Sequence, residues 1–434
     1  MEYTQAIIAA SVLLYALVSG RLSRTAVSGT MLFALIGLIC GPEVLDIVDL
    51  DGLIGEADFI SLVLTSTLVI VLFTDACAVN SATWRDDVLP ARLLGIGLPL
   101  TVIAGWATAL LVLTDLGGWE AAVIATMLAP TDAALGKAVV SNPRVPRRIR
   151  QALNVESGLN DGVALPLFVV FLEAAKVAEG RLPAADLATE LIAQVGIATA
   201  VGLAIGVGSV HALRWAAGRG GADPRWLQIG VLAMAALAYT VTTPLGGSGF
   251  IAAWVAGFVF GRLSGDRIRS EGHSVVEVGR ELHSFSETTG DLLTMMSFLL
   301  FGLLLGPTLP DLTWSTVLYA VLSLTLLRMV PVVLSQIGSG LAFGSVLYLG
   351  WFGPRGLATI ILTLEITEES GLRGADTVTD VALFTVGLSV VLHGITAWWG
   401  SNAYADYIEE HPGGAEMEEH ADSPDVRVSR RVEM

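Results

Sequence analysis

Apolar runs of about 20 residues, the length a helix needs to cross a bilayer, recur from one end of this chain to the other, and two neighbouring runs gather clusters of polar and acidic residues. The pair occupies residues 117–176 and flanks a strongly basic link. The first run holds Pro130, Thr131 and Asp132; the second holds Glu156, Ser157, Asn160 and Asp161. A carboxylate inside hydrocarbon is costly and marks an ion or proton path. Only 15% of the 434 residues are charged, against about 25% in a soluble globular chain. Mean hydropathy is +0.69. These features imply an all-α polytopic membrane protein.

The apolar ranges are 4–19, 25–41, 59–79, 88–113, 119–140, 153–175, 188–216, 226–243, 248–263, 289–306, 313–336, 341–364 and 379–400, thirteen in all. The boundary at GGSGF, 246–250, has one long bent helix as its rival. The N-terminal MEYTQAIIAASVLLYALVSGR lacks a basic start and a small-residue cleavage site, so it reads as the first span rather than a signal peptide. With the N-terminus outside, the inward links hold fifteen Lys and Arg residues and the outward links only Lys176, Arg181 and Arg373. That asymmetry obeys the positive-inside rule and puts the C-terminus in the cytoplasm. The expected site is therefore a cell inner or plasma membrane.

The acidic outward link 43–58 reads as a solvated loop or surface helix, with local cation enrichment as the rival. Residues 264–288 read as an interfacial amphipathic helix, with Val275, Val276, Val278, Leu282 and Phe285 on one side. The transmembrane domain is expected to span 1–406, and 407–434 to be a polar, disordered tail. Cys40 and Cys77 suggest neither a disulfide nor a metal site. The net charge of −17 implies no nucleic-acid partner, and no phosphate-binding loop or cofactor motif is present.

Spans 5 and 12 are interrupted, at MLAPTDAA and GWFGPRGLA, and each is fifth in a set of six if span 7 is a linker. Matched breaks of this kind suggest inverted six-helix repeats with two crossing unwound helices. Pro130 lacks an amide proton and frees a carbonyl one turn back, which a cation can use. Thr131 adds oxygens and Asp132 lies beside the break. Asp161 is the strongest candidate for a ligand that holds either a proton or a small hard cation. Ser157, four residues earlier, shares its helix face. Asn160 stands over Glu156 and holds a neighbour in register without adding charge. Glu156 needs a buried cationic partner, and Arg355 in GPRG is expected to be that partner. Arg328 balances Asp132 or Asp161, or reaches the interface.

Lys137 reads as reaching toward the cytoplasmic side, Asp75 as an interfacial cap with a funnel charge as its rival, and His393 as a hydrogen-bonded core histidine with a pH sensor as its rival.

The stretch LAPTDAALGKAVVSNPRVPRRIRQALNVESGLNDGVALP, with WFGPRGLAT in the second half, resembles the NhaP-type sodium/proton antiporters of the monovalent cation/proton antiporter superfamily. The resemblance implies thirteen helices, interleaved core and dimerisation subdomains, a homodimer and elevator-like alternating access. It places Thr131 and Asp132 on the unwound motif and Asn160 and Asp161 on the paired Asn–Asp motif. Ser157 falls on a further cation contact. Sodium would be held by Asp161, Ser157 and Thr131. Glu156 and Arg355 fall on the buried ion pair and Arg328 on a further core arginine. An Asn–Asp rather than Asp–Asp pair implies the electroneutral branch. Phe352 departs from the small residue common at that place.

The function expected is secondary exchange of Na⁺, or Li⁺, for H⁺, with K⁺/H⁺ exchange or a cation channel as alternatives. No enzymatic activity is expected, because no nucleophile–base pair stands out.

Overall fold

The computed structural model describes residues 2–22, 25, 27–48, 57–78, 88–219, 223–268, 274–367, 372–410 and 415–417. Among them every regular element is a helix. In chain order these are α1 (Glu2–Leu22), α2 (Gly29–Cys40), α3 (Ala57–Ala78), α4 (Leu89–Val112), α5 (Gly118–Met127), α6 (Ala133–Val140), α7 (Arg147–Ala178) and α8 (Leu187–Ala216). They continue with α9 (Pro224–Thr242), α10 (Gly249–Ile268), α11 (Ser274–Thr308), α12 (Trp314–Ser335), α13 (Phe343–Trp351), α14 (Leu357–Glu365) and α15 (Ala375–Glu410). The apolar ranges read from the sequence all coincide with helical segments.

Among the described residues, seven helices are long and apolar enough by themselves to cross a membrane. Three more apolar helices, Ala6–Leu22, Gly29–Cys40 and Gly249–Ser264, are shorter. The exceptions have a common cause. The pairs α5–α6 and α13–α14 are broken in mid-course, and α7 carries the charged groups of the site. Hydroxyls inside the apolar helices are satisfied locally: Thr67, Thr74, Thr101, Thr126, Thr242 and Thr385 each donate to the carbonyl four residues back.

The helices pack mainly in two groups. One contains α1–α3 and α8–α11; the other contains α4–α7 and α12–α15. The first group relies on close backbone approach. A Cβ at Gly257 of α10 would strike the Phe73 carbonyl of α3, and one at Gly261 would strike that of Cys77. The GFVFG stretch thus lets α10 lie directly on the helix that forms one wall of the site. The Cys77 thiol donates to Gly257 O at 3.1 Å across the same contact.

Two expectations from the sequence need correction. The segment 264–288 is not a separate surface helix. Helix α10 runs to Ile268, and α11 continues unbroken from Ser274 into the apolar range. A hydropathy reading ends where side chains become polar, whereas backbone hydrogen bonding carries on beyond that edge. The tail likewise does not leave the fold at 407. Helix α15 extends to Glu410, and Arg144 binds its Asp406 at 2.5 Å and Glu409 at 3.0 Å. Ala415–Met417 then docks: Ala415 N donates to Gly340 O at 3.2 Å, and buried Glu416 accepts from Ala342 N at 3.2 Å. Arg148 Nη1 donates to Ala415 O at 2.6 Å. Residues 49–56 of the acidic link, the 79–87 stretch with Arg85, residues 269–273 and the tail from 418 lie outside the described residues.

Replacing Gly257 with Val should force α10 away from α3 and cost about 1–3 kcal/mol. Thermal unfolding in detergent should show a clearly lower midpoint than Gly230→Val, where an added Cβ meets only a leucine methyl at 3.6 Å. Equal midpoints would contradict the packing argument.

Candidate functional site

The site is built where two broken helices meet. Pro130 cannot donate a backbone hydrogen bond, so the chain leaves helix after Met127 and resumes it at Ala133. Pro354 does the same service in the second break, between Trp351 and Leu357. The two unwound stretches bind each other directly: Asp132 N donates to Pro354 O at 2.8 Å.

Breaking a helix in an apolar interior exposes amides at one new end and carbonyls at the other. The Asp132 carboxylate serves both new amide ends. Its Oδ1 accepts from Leu135 N of α6 at 2.9 Å, and its Oδ2 accepts from Leu357 N of α14 at 2.7 Å. A negative group is favourable at a helix N-terminus, and here one carboxylate faces two. Gly356 makes this possible, because a Cβ there would collide with the Asp132 carboxylate. The carbonyls at the end of α5 have donors from elsewhere. Thr359 Oγ1 donates to Met127 O at 2.8 Å, and Arg355 Nη1 donates to Ala129 O at 2.5 Å and Pro130 O at 2.9 Å. Asn160 Nδ2 donates to Thr131 O at 3.0 Å and to Thr131 Oγ1 at 2.8 Å.

Helix α7 distributes its polar residues to different neighbours. Glu156 and Asn160 share one side, Ser157 and Asp161 another, since residues four apart align. Asn160 reaches the first break. Glu156 meets Arg328 of α12 in a two-pronged pair, Nη1 to Oε1 at 2.5 Å and Nη2 to Oε2 at 2.8 Å, with both residues 1% exposed. The expected Glu156–Arg355 hydrogen-bonded pair is therefore replaced by Glu156–Arg328. Arg355 turns to the carbonyls of the broken α5 instead, and Arg328 neither balances Asp132 or Asp161 directly nor reaches the interface. Two buried arginines lie near one glutamate, and only the packing of α12 against α7 decides between them.

Ser157 and Asp161 line a small cavity. Thr131, Asp132 and Thr359 also line it, and so does Asp75 from α3. Ser157 Oγ donates to Leu153 O at 2.9 Å, which leaves its lone pairs available. Asp161 is partly exposed in the cavity and accepts no hydrogen bond from a described residue. Among the described residues no three acidic, histidine or cysteine side chains converge as a resident metal cage. The oxygens on offer are mixed: carboxylate, hydroxyl and backbone carbonyl.

Asp75 is the residue the sequence reading underweighted. The interfacial cap expected of it gives way to the rival reading of a funnel charge, since it shares the cavity with Asp132 and Asp161. Its position inside an apolar run was the available signal. Lys137 does not simply extend to water. Its Nζ lies 2.5 Å from Asp291 and 3.7 Å from Glu287, across the seam between the two helix groups.

Interrupted helices that meet beside a polar cavity are a recurring feature of secondary transporters. The family model described as "Sodium/hydrogen exchanger, transmembrane" matches residues 7–399. The chain belongs to that family. The K(+)/H(+) antiporter NhaP2 of Shewanella sp. (strain MR-4) is 25% identical over 382 residues, covering 86% of this chain and 62% of the relative. The K(+)/H(+) antiporter NhaP of Alkalimonas amylolytica is 25% identical over 378 residues, with the same two shares of 86% and 62%. This chain thus spans about three-fifths of the length of those relatives. An uncharacterized Na(+)/H(+) exchanger, Mb2309 of Mycobacterium bovis, is 33% identical over 113 residues, 26% of this chain and 20% of that protein. The fold matches the sodium proton antiporter MjNhaP1 of Methanocaldococcus jannaschii at pH 8, with a TM-score of 0.70 and 22% identity over 93% of this chain and all of that one.

Removing one partner of the Glu156–Arg328 pair leaves a buried charge unmatched and should cost about 3–5 kcal/mol. Arg328→Met should therefore fail to accumulate or should unfold at a markedly lower temperature. Adding Glu156→Leu should recover much of the loss, as read by fluorescence-detected size-exclusion chromatography after heating. A double variant worse than the single one would show that the pairing is misassigned.

Proposed function

We propose that this protein exchanges Na⁺ for H⁺ across the membrane, one for one, with Asp161 as the group that holds either ion. The observation that carries the reading is the contrast among the buried carboxylates. Asp132 is committed to two helix ends and Glu156 to Arg328, whereas Asp161 faces the cavity with no fixed donor. Sodium would be held by Asp161, Ser157 and an oxygen of Thr131, with Asp132 and Asn160 keeping that oxygen in place. Asn160 brings no charge of its own, so one titrating carboxylate per cycle supports electroneutral exchange.

The cavity lies at the seam of the two helix groups. Leu68, Val71, Asp75 and Thr294 come from one group and the remaining wall from the other. This division supports an elevator-like cycle in which α4–α7 and α12–α15 form the moving core and the other helices form the frame of a homodimer. Either ligand on Asp161 neutralises the site and permits movement; the empty, charged site moves poorly because charge is costly in hydrocarbon. On this reading the helices make thirteen spans in inverted six-helix repeats, with N-terminus outside and C-terminus in the cytoplasm, where the cycle serves pH homeostasis.

K⁺/H⁺ exchange is the second reading, supported by the names of the relatives from Shewanella and Alkalimonas. Purified protein in liposomes, assayed for proton movement under Na⁺, Li⁺ and K⁺ gradients, tests both. Sodium-dependent exchange that is insensitive to a clamped membrane potential is expected. Asp161→Asn should abolish it, while a folded D161N protein that exchanges at the normal rate would overturn the mechanism.

A further inference from the structure

The second break has a carbonyl end as well, and its partner is His393. Helix α13 ends at Trp351, whose carbonyl lies 3.0 Å from His393 Nε2. A carbonyl oxygen only accepts, so this contact needs the proton on Nε2. The other ring nitrogen, Nδ1, lies 3.0 Å from Ser389 Oγ and 3.2 Å from Ser389 O, the carbonyl one turn back in the same helix. That hydroxyl already accepts from Arg355 N at 2.7 Å, so its single proton is free to point at Nδ1. Nε2 makes the shorter of the two carbonyl contacts, and with the proton there Nδ1 accepts from the Ser389 hydroxyl. His393 and Ser389 are 2% and 0% exposed, so water does not substitute for either. The Trp351 ring packs beside the imidazole with centroids 5.5 Å apart and is itself held by Thr396, through Nε1 to Oγ1 at 2.9 Å.

We propose that His393 is a positioning residue for the cation site, acting as a neutral imidazole protonated on Nε2. Its reach is through a chain of bonds. His393 and Ser389 fix the peptide of Arg355. The Arg355 side chain holds the carbonyls of Ala129 and Pro130, immediately before Thr131. Asp132 N closes the loop on Pro354 O. Loss of the ring therefore loosens both unwound stretches at once, although His393 lines no part of the cavity. The inference rests on the reading of this crossing as the cation site.

Two measurements on the full chain test it. Solid-state ¹⁵N NMR of histidine-labelled protein in lipid bilayers, with the signal assigned by its loss in His393→Gln, should show a neutral ring bearing its proton on Nε2. In liposomes, His393→Leu should raise the KM for Na⁺ roughly tenfold with a much smaller change in maximal rate, as expected when ground-state positioning is lost. His393→Gln, which keeps a donor toward Trp351 O, should recover most of the affinity. Adding Ser389→Ala to His393→Leu should raise KM little further, because both act through one chain. A ring protonated on Nδ1 alone, or on both nitrogens, overturns the proposal, and so does a wild-type KM in His393→Leu. Should His393→Leu fail to fold, Ser389→Ala alone takes its place, with a raised KM expected and an unchanged one decisive against. Wild-type protein that exchanges no cation for protons removes the site reading itself, whereas normal wild-type exchange with an unaltered variant KM removes only this inference.

Discussion

The structure depends on the bond set made by one carboxylate. Asp132 accepts from the first turns of α6 and α14, and its own amide donates to the opposing break. A helix end inside a bilayer has no water to complete it, so every freed amide and carbonyl needs a protein partner. Two helices broken at the same depth supply partners to one another. Each break is completed in part by the other through the bonds of Asp132. Gly356 is the steric condition, since it leaves room for the carboxylate to touch both ends.

Charge is distributed around this crossing according to duty. The Arg355 guanidinium meets the carbonyl end of α5, where positive charge is favoured. Arg328 and Glu156 form a closed pair, fully buried and matched in geometry. Asn160 brings an amide to the Thr131 oxygens without adding a charge. What remains is Asp161, set one face away on the same helix and open to the cavity. Arg328, Glu156, Arg355 and Asp132 are thus fixed in a pair or against helix ends, whereas Asp161 lines the cavity and accepts no hydrogen bond from a described residue.

The seam between the two helix groups runs through the cavity, which explains why residues from distant parts of the chain meet there. Asp75 comes from α3 and Thr294 from α11, and both face residues of the broken helices. Just along the seam, Lys137 reaches Asp291 and Glu287 in the other group. These contacts join surfaces that must separate if the groups move, and their partial exposure keeps each one weak.

The order of apolar runs determined the helices, because a chain of this hydropathy has few ways to satisfy its backbone. The prolines at 130 and 354 marked the breaks, since a missing amide proton is a local property. The four-residue spacing on α7 separated the Glu156–Asn160 side from the Ser157–Asp161 side for the same local reason. Which arginine meets Glu156, that Asp75 reaches the cavity, that α11 continues past its apolar part and that Ala415–Met417 docks were decided only by tertiary packing. Each depends on how helices far apart in sequence lie against one another. A charged side chain in an apolar run announces that it needs a partner, but only the packed structure selects which one it finds.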